Sequence, residues 1–174
     1  LSHASFATKE VGNGGNVVFC KSGKISIELL DFYEARVLRG MRVDVNKNAD
    51  PISIAMQAVS RLAEASPLRM RAYEKYIQSF QDEARFLSGA KLVPVNDSGH
   101  IFLPDGCSIV QIALQIKPEF PEDGRYVINK DLWDRMENVS KAGLILHEVI
   151  YREAIEFGAS DSKSVRYLNA LMAA

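Results

Sequence analysis

The chain predicts an α+β fold: a small antiparallel sheet of hairpins packed against several helices, with a helical C-terminal third. Three observations carry this. Strand-like and helical segments fall in blocks, which argues against a parallel βαβ wind. Short runs rich in β-branched residues are joined in pairs by Gly-containing turns. From Lys130 onward almost every residue reads as helix. The expectation is about four or five strands in one or two hairpins, with about five helices.

The elements follow in order. Residues 1–15 end in "VGNGG" and read as a flexible N-terminal arm; residues 16–174 read as one α+β domain. "NVVFC" is a strand, "KSGK" a turn and "ISIELL" a second strand, together a β-hairpin. "LLDFYEARVLRG" turns helical and stops at Gly40. Asp50 and Pro51 supply an N-cap and a first-turn proline for a helix to about Ala65. Ser66 and Pro67 repeat that device. The helix they start is expected to reach Leu87, with an apolar stripe of Tyr73, Tyr76, Ile77, Phe80, Ala84 and Leu87. "KLVPV" and "HIFLP" flank the turn "NDSG" as a hairpin, and "CSIVQIALQI" is the strongest strand. "RYVIN" adds a short one. Asn129 caps a helix, residues 130–157 form one long helix or two with a break near Ser140 or Gly143, and "SVRYLNALM" forms the last.

Composition excludes some functions. The chain has 174 residues and a net charge of -1, so no global field recruits nucleic acid. No apolar run approaches the roughly 20 residues that span a bilayer. Cys20 and Cys107 each border a strand-like segment. They are either a disulfide closing a long loop or two buried thiols. The chain opens "LSHASFA", small, polar and weakly apolar, as beside a signal-peptidase cut. The expected location is therefore exported, periplasmic or extracellular.

The segment that bears most on function is "AGLILHEVIYREAIEFG", residues 142–158. His147 and Glu148 match the first two letters of H-E-x-x-H, and in this they resemble zinc peptidases. What that resemblance implies is zinc bound through His147, with Glu148 as the catalytic base that polarises a water. Tyr151 stands where the second histidine would, as a phenolate ligand or an oxyanion donor. No zinc-type spacing adds His3, His100, Glu137, Glu153 or Asp161. The simpler reading is a structural histidine beside a solvated ladder of Glu148, Arg152 and Glu156. The helix is apolar over most of its circumference, so it is expected to be covered on more than one side.

A second resemblance covers about Trp133 to Asn169. His147, Glu148, Tyr151, Arg152, Glu153, Gly158, Asp161, Ser162, Arg166, Tyr167, Leu168 and Asn169 resemble a C-terminal pattern of uncharacterised exported bacterial proteins. That resemblance implies export and carries no activity with it. Asp161, Arg166 and Tyr167 are expected to form a polar cluster with His147 and Tyr151 where the two helices meet.

"SDSK" at 160–163 fits S-x-x-K, but the partner motifs of that enzyme class are missing or out of order, and Ser160 reads as a helix cap. "GNGG" lacks the strand before and helix after that a nucleotide loop needs.

The expected function is an exported soluble domain with no cofactor, binding a protein or cell-envelope component or serving a structural role there. The alternative is a divergent metal-dependent, peptidase-like hydrolase using zinc. A homodimer through the helix at 67–87 is a further expectation.

Overall fold

In the computed structural model, residues 10–21, 26–92 and 101–174 are described. His3, His100, the tip of the first expected hairpin and the expected hairpin around "NDSG" lie outside the described residues.

The α+β class holds, with more strands than expected. Among the described residues, seven strands make two sheets: a four-stranded one in the order β1-β6-β7-β4 and a three-stranded one in the order β3-β2-β5. The strands are β1 (Glu10–Asn13), β2 (Asn16–Cys20), β3 (Ser26–Leu29), β4 (Ala84–Leu87), β5 (Cys107–Gln111), β6 (Ala113–Ile116) and β7 (Tyr126–Asn129). The helices are α1 (Leu30–Arg39), α2 (Pro51–Ser60), α3 (Pro67–Glu83), α4 (Lys130–Trp133), α5 (Asn138–Glu156) and α6 (Lys163–Ala173).

Two segments predicted as simple units are bent. "CSIVQIALQI" is not one strand. Its first half, β5, pairs with β2 in one sheet, and its second half, β6, pairs with β1 and β7 in the other. The end of the expected arm is a strand as well: residues 10–13 are β1, which runs on through Gly14–Gly15 into the expected strand at 16–20, β2. The two segments run antiparallel as one ribbon that crosses from sheet to sheet at Gly14–Gly15 and Ile112. Both Ile112 and Ala113 donate their N–H to the Gly15 carbonyl there, at 3.1 and 3.2 Å. Residues 10–15 are therefore part of the fold, and Gly14 and Gly15 are buried.

Helix ends follow the sequence signals in most places. Gly40 ends α1 in the left-handed region at φ 62°, which glycine adopts without strain. The Asp50 side chain accepts from the N–H groups of Ile52 and Ser53, and Asn129 accepts from Leu132. Two helices depart from expectation: α2 stops at Ser60, short of the expected Ala65, and α3, which follows Ser66 without a side-chain cap bond, stops at Glu83. The next four residues, expected as helix, form β4 and pair in parallel with β7. The chance to add a ladder beside β7 outweighs the helical propensity of "ARFL". The long helical stretch is two helices, parted at Asp134–Glu137, ahead of the expected break near Ser140 or Gly143.

Helix α5 is the axis of the molecule. It packs against α2, α3, α6, α1 and β3. Every residue from Ala142 to Tyr151 is buried. Around it lies one continuous core that includes Val17, Leu29, Ile54, Val59, Ile77, Phe80, Tyr126 and Leu146. The stripe of α3 is used here, since Tyr73, Ile77 and Phe80 are buried inside the chain. No helix among the described residues is long and apolar enough to cross a membrane.

Candidate functional site

His147 and Glu148 lie at the centre of α5, each 0% exposed. Neighbours in sequence, they point to different parts of the fold.

The His147 imidazole meets α1. Its Nδ1 is 2.9 Å from Oδ2 and 3.2 Å from Oδ1 of Asp31, which is 1% exposed. The same carboxylate accepts from Nδ2 of Asn169 on α6, at 2.6 Å. Asn169 also donates to the Gly143 carbonyl at 2.8 Å, which closes the group back onto α5. Three helices are joined through one carboxylate. Gly143 makes the approach possible: a Cβ there would fall 2.5 Å from the Phe32 ring and 2.6 Å from Leu29 Cδ2. Burial alone would lower the imidazole pKa, but the charge and hydrogen bond of Asp31, with the charge of Glu148, outweigh it and hold the pKa above its ordinary value. With Nδ1 turned to Asp31, the neutral ring carries its proton there. Nε2 has no hydrogen-bond partner among the described residues.

Glu148 turns to the ribbon's corner. Its Oε1 accepts the Gly15 N–H at 2.6 Å, and its main-chain carbonyl accepts from Gln115 Nε2 at 2.7 Å. Burial raises the Glu148 pKa, opposed by the charge of His147 and by the Gly15 hydrogen bond. The second oxygen, Oε2, has no partner among the described residues. The corner fits glycine alone. A Cβ on Gly14 would sit 2.4 Å from the Ala113 carbonyl oxygen, and one on Gly15 would sit 2.2 Å from Leu144 Cδ1.

The expected ladder of Glu148, Arg152 and Glu156 is not formed. Glu148 is sealed inside. Arg152 instead pairs with Glu83 of α3 at 3.1 Å and lies over the Tyr76 ring at 3.9 Å. Glu83 also meets Arg125 at 3.4 Å. Glu153, one residue on, takes Arg69 at 3.0 Å and the Tyr73 hydroxyl.

The remaining predicted site residues scatter. Tyr151 is buried one turn beyond His147, with ring centroids 6.0 Å apart. Arg166 is buried at the α6 end of the site, where it donates to Glu34 at 2.8 Å and to Ser162 at 3.1 Å. Tyr167 is 44% exposed and lies under the Arg39 guanidinium on the surface. Asp161 accepts from the Lys163 N–H at 3.1 Å in an exposed turn. Of the expected polar cluster, His147, Tyr151 and Arg166 are buried in the same region, while Asp161 and Tyr167 are not.

Among the described residues, no three His, Cys, Asp or Glu side chains are grouped so as to hold a metal ion. The two residues that match the peptidase pattern are engaged within the fold, His147 Nδ1 with Asp31 and Glu148 Oε1 with Gly15. The role of Asp31 was not read from the sequence. Its one signal is an acid in the apolar run "LLDFY".

Cys20 and Cys107 form a disulfide, with Cα atoms 4.0 Å apart. They stand directly opposite each other in the β2–β5 register. Beside them an open groove of 530 Å³ runs along β5, lined among others by Phe19, Lys21, Lys91, Ile109, Gln111 and Arg135.

No family model matches the chain, and neither a curated protein nor a solved structure matches it.

Proposed function

We propose that this chain is a non-catalytic binding domain of an oxidising, extracytoplasmic compartment, which recognises a protein or a cell-envelope component. The observation that carries this reading is the burial of the His-Glu pair. His147, Glu148 and Asp31 are each at most 1% exposed. A general base must reach its proton directly or through one water, and no substrate reaches these groups from outside. Buried, hydrogen-bonded polar groups of this kind fix how helices pack. The cross-strand disulfide supports the compartment, since such bonds persist where thiols are not kept reduced. The groove beside it is an accessible surface for recognition.

Elemental analysis of the purified protein and of His147→Ala tests the reading. The binding-domain reading expects no stoichiometric metal in either and a large loss of thermal stability in the variant. Stoichiometric zinc that disappears in His147→Ala would establish the hydrolase instead. Cell fractionation with thiol labelling tests the compartment: a bridged protein in the extracytoplasmic fraction is expected, and a reduced one in the cytosol contradicts it.

A further inference from the structure

Four consecutive residues of β5, from Ser108 to Gln111, line the groove. Side chains alternate between the faces of a strand, so four in a row can line one cavity only along the strand's edge. Strand β5 is the end strand of its sheet, with β2 on one side and no strand on the other among the described residues. The hydrogen-bond phase shows which groups face outward. Lys21 donates its N–H to the Gly106 carbonyl at 2.9 Å, so that pair is a bonded one. Bonded and non-bonded pairs alternate along an antiparallel ladder, so Phe19–Ser108 and Val17–Val110 are bonded too. Ile109 and Gln111 therefore turn their N–H and C=O away from β2, toward the open edge.

The lining has a chemical character. Lys21, Lys91 and Arg135 face one carboxylate, Asp131. That carboxylate is already engaged with the Gly89 N–H at 2.8 Å. Lys21 and Arg135 bracket the Phe19 ring at 5.8 and 5.5 Å. The local excess is positive in a chain whose net charge is -1. A separate observation points to a ligand. Gln111 is only 3% exposed and its Nε2 donates to the Ala113 carbonyl at 3.0 Å, yet its Oε1 has no partner among the described residues. A buried acceptor left without a donor is costly, and an incoming N–H would satisfy it.

We infer that the groove takes an extended, acidic segment of a partner protein, which adds as a strand to β5. Its main chain pairs with Ile109 and Gln111, and its carboxylates meet Lys21, Lys91 and Arg135. Strand addition draws affinity from main-chain hydrogen bonds and selectivity from alternate side chains. This inference rests on reading the chain as a binding domain.

A random heptapeptide library displayed on phage, selected on the intact oxidised protein, tests it. Selected peptides are expected to carry Asp or Glu at alternate positions. Synthetic copies should shift the amide resonances of Ile109 and Gln111. Their affinity should fall about tenfold in Lys91→Glu and in Arg135→Glu, both exposed positions that spare the core. N-methylation at alternate residues of the peptide should abolish binding.

No enrichment, enrichment of basic peptides, or shifts confined to another surface would each overturn the inference. So would self-association of the free protein through Ile109 and Gln111, which would assign the edge to a second copy. A failure here leaves the binding-domain reading in place. Stoichiometric zinc at His147 would remove that reading whatever the peptides do.

Discussion

Glu148 and Gly15 stand 133 residues apart in the chain, and the carboxylate of one accepts the main-chain N–H of the other at 2.6 Å. The contact sits where the β-ribbon leaves one sheet for the other. A main-chain N–H inside a bend has no strand to pair with, and burying it unpaired costs about 1–3 kcal/mol. The helix supplies the missing acceptor. The letters that suggest a peptidase thus describe a fastening between the central helix and the corner of the sheets.

Removing the acceptor should cost more than neutralising it. Glu148→Ala strands the Gly15 N–H and leaves a cavity, and is expected to lower stability by about 3 kcal/mol. Glu148→Gln keeps a carbonyl acceptor and should lose clearly less. Urea denaturation of the two variants checks the order. Equal losses would mean that the Gly15 bond contributes little.

The corner should reject any side chain. A Cβ at Gly15 would lie 2.2 Å from Leu144 Cδ1, well inside contact distance. Gly15→Ala is expected to destabilise by about 1–3 kcal/mol through forced repacking. Thermal melting reads this directly. In a double-mutant cycle Leu144→Ala should cost less on the Gly15→Ala background than on the native chain, because it then removes the methyl that is struck.

Stability should fall as pH rises above His147's ordinary pKa of 6.5. His147 is held above its ordinary pKa of 6.5, so the folded chain keeps that proton more firmly than the unfolded one. Its contribution is complete below 6.5 and is lost as pH climbs through the folded value. Glu148, also raised, has the same sign at lower pH: its folded form binds a proton where the unfolded form has released it. In Asp31→Asn the imidazole loses the partner that raises it, and the slope above about pH 6 should flatten. Denaturation midpoints measured across that range check both the slope and its loss.

Reduction should weaken the fold without being local to the groove. The Cys20–Cys107 bond spans a sequence separation of 87 residues. Closing a loop of that length stabilises by about 4–5 kcal/mol in the chain-entropy account. Denaturation with and without reductant measures it, and mass spectrometry of the two states confirms the bridge.

How much of this was legible in the sequence follows from how local each signal is. Caps and stops were readable because Asp50, Asn129 and Gly40 act within their own turn. The buried, many-sided packing of α5 was readable from its apolar circumference. The switch of "ARFL" from helix to β4 was not, since only the distant β7 makes a strand worthwhile there. The ribbon's bend was hidden for the same reason. "VGNGG" looks like a loose arm until Ala113, Leu144 and Glu148 are brought against it. Within the site, His147 and Glu148 could be singled out by motif. Their partners Asp31 and Gly15 are 116 and 133 residues away, and no spacing rule reaches that far.

Amide hydrogen exchange at Gly15 tests the central claim most directly. If Glu148 seals the corner, the Gly15 amide of the native protein should exchange as slowly as the amides at the centre of α5 and much faster in Glu148→Ala. A Gly15 amide that exchanges freely in the native protein, or that is equally protected without the carboxylate, would contradict the account.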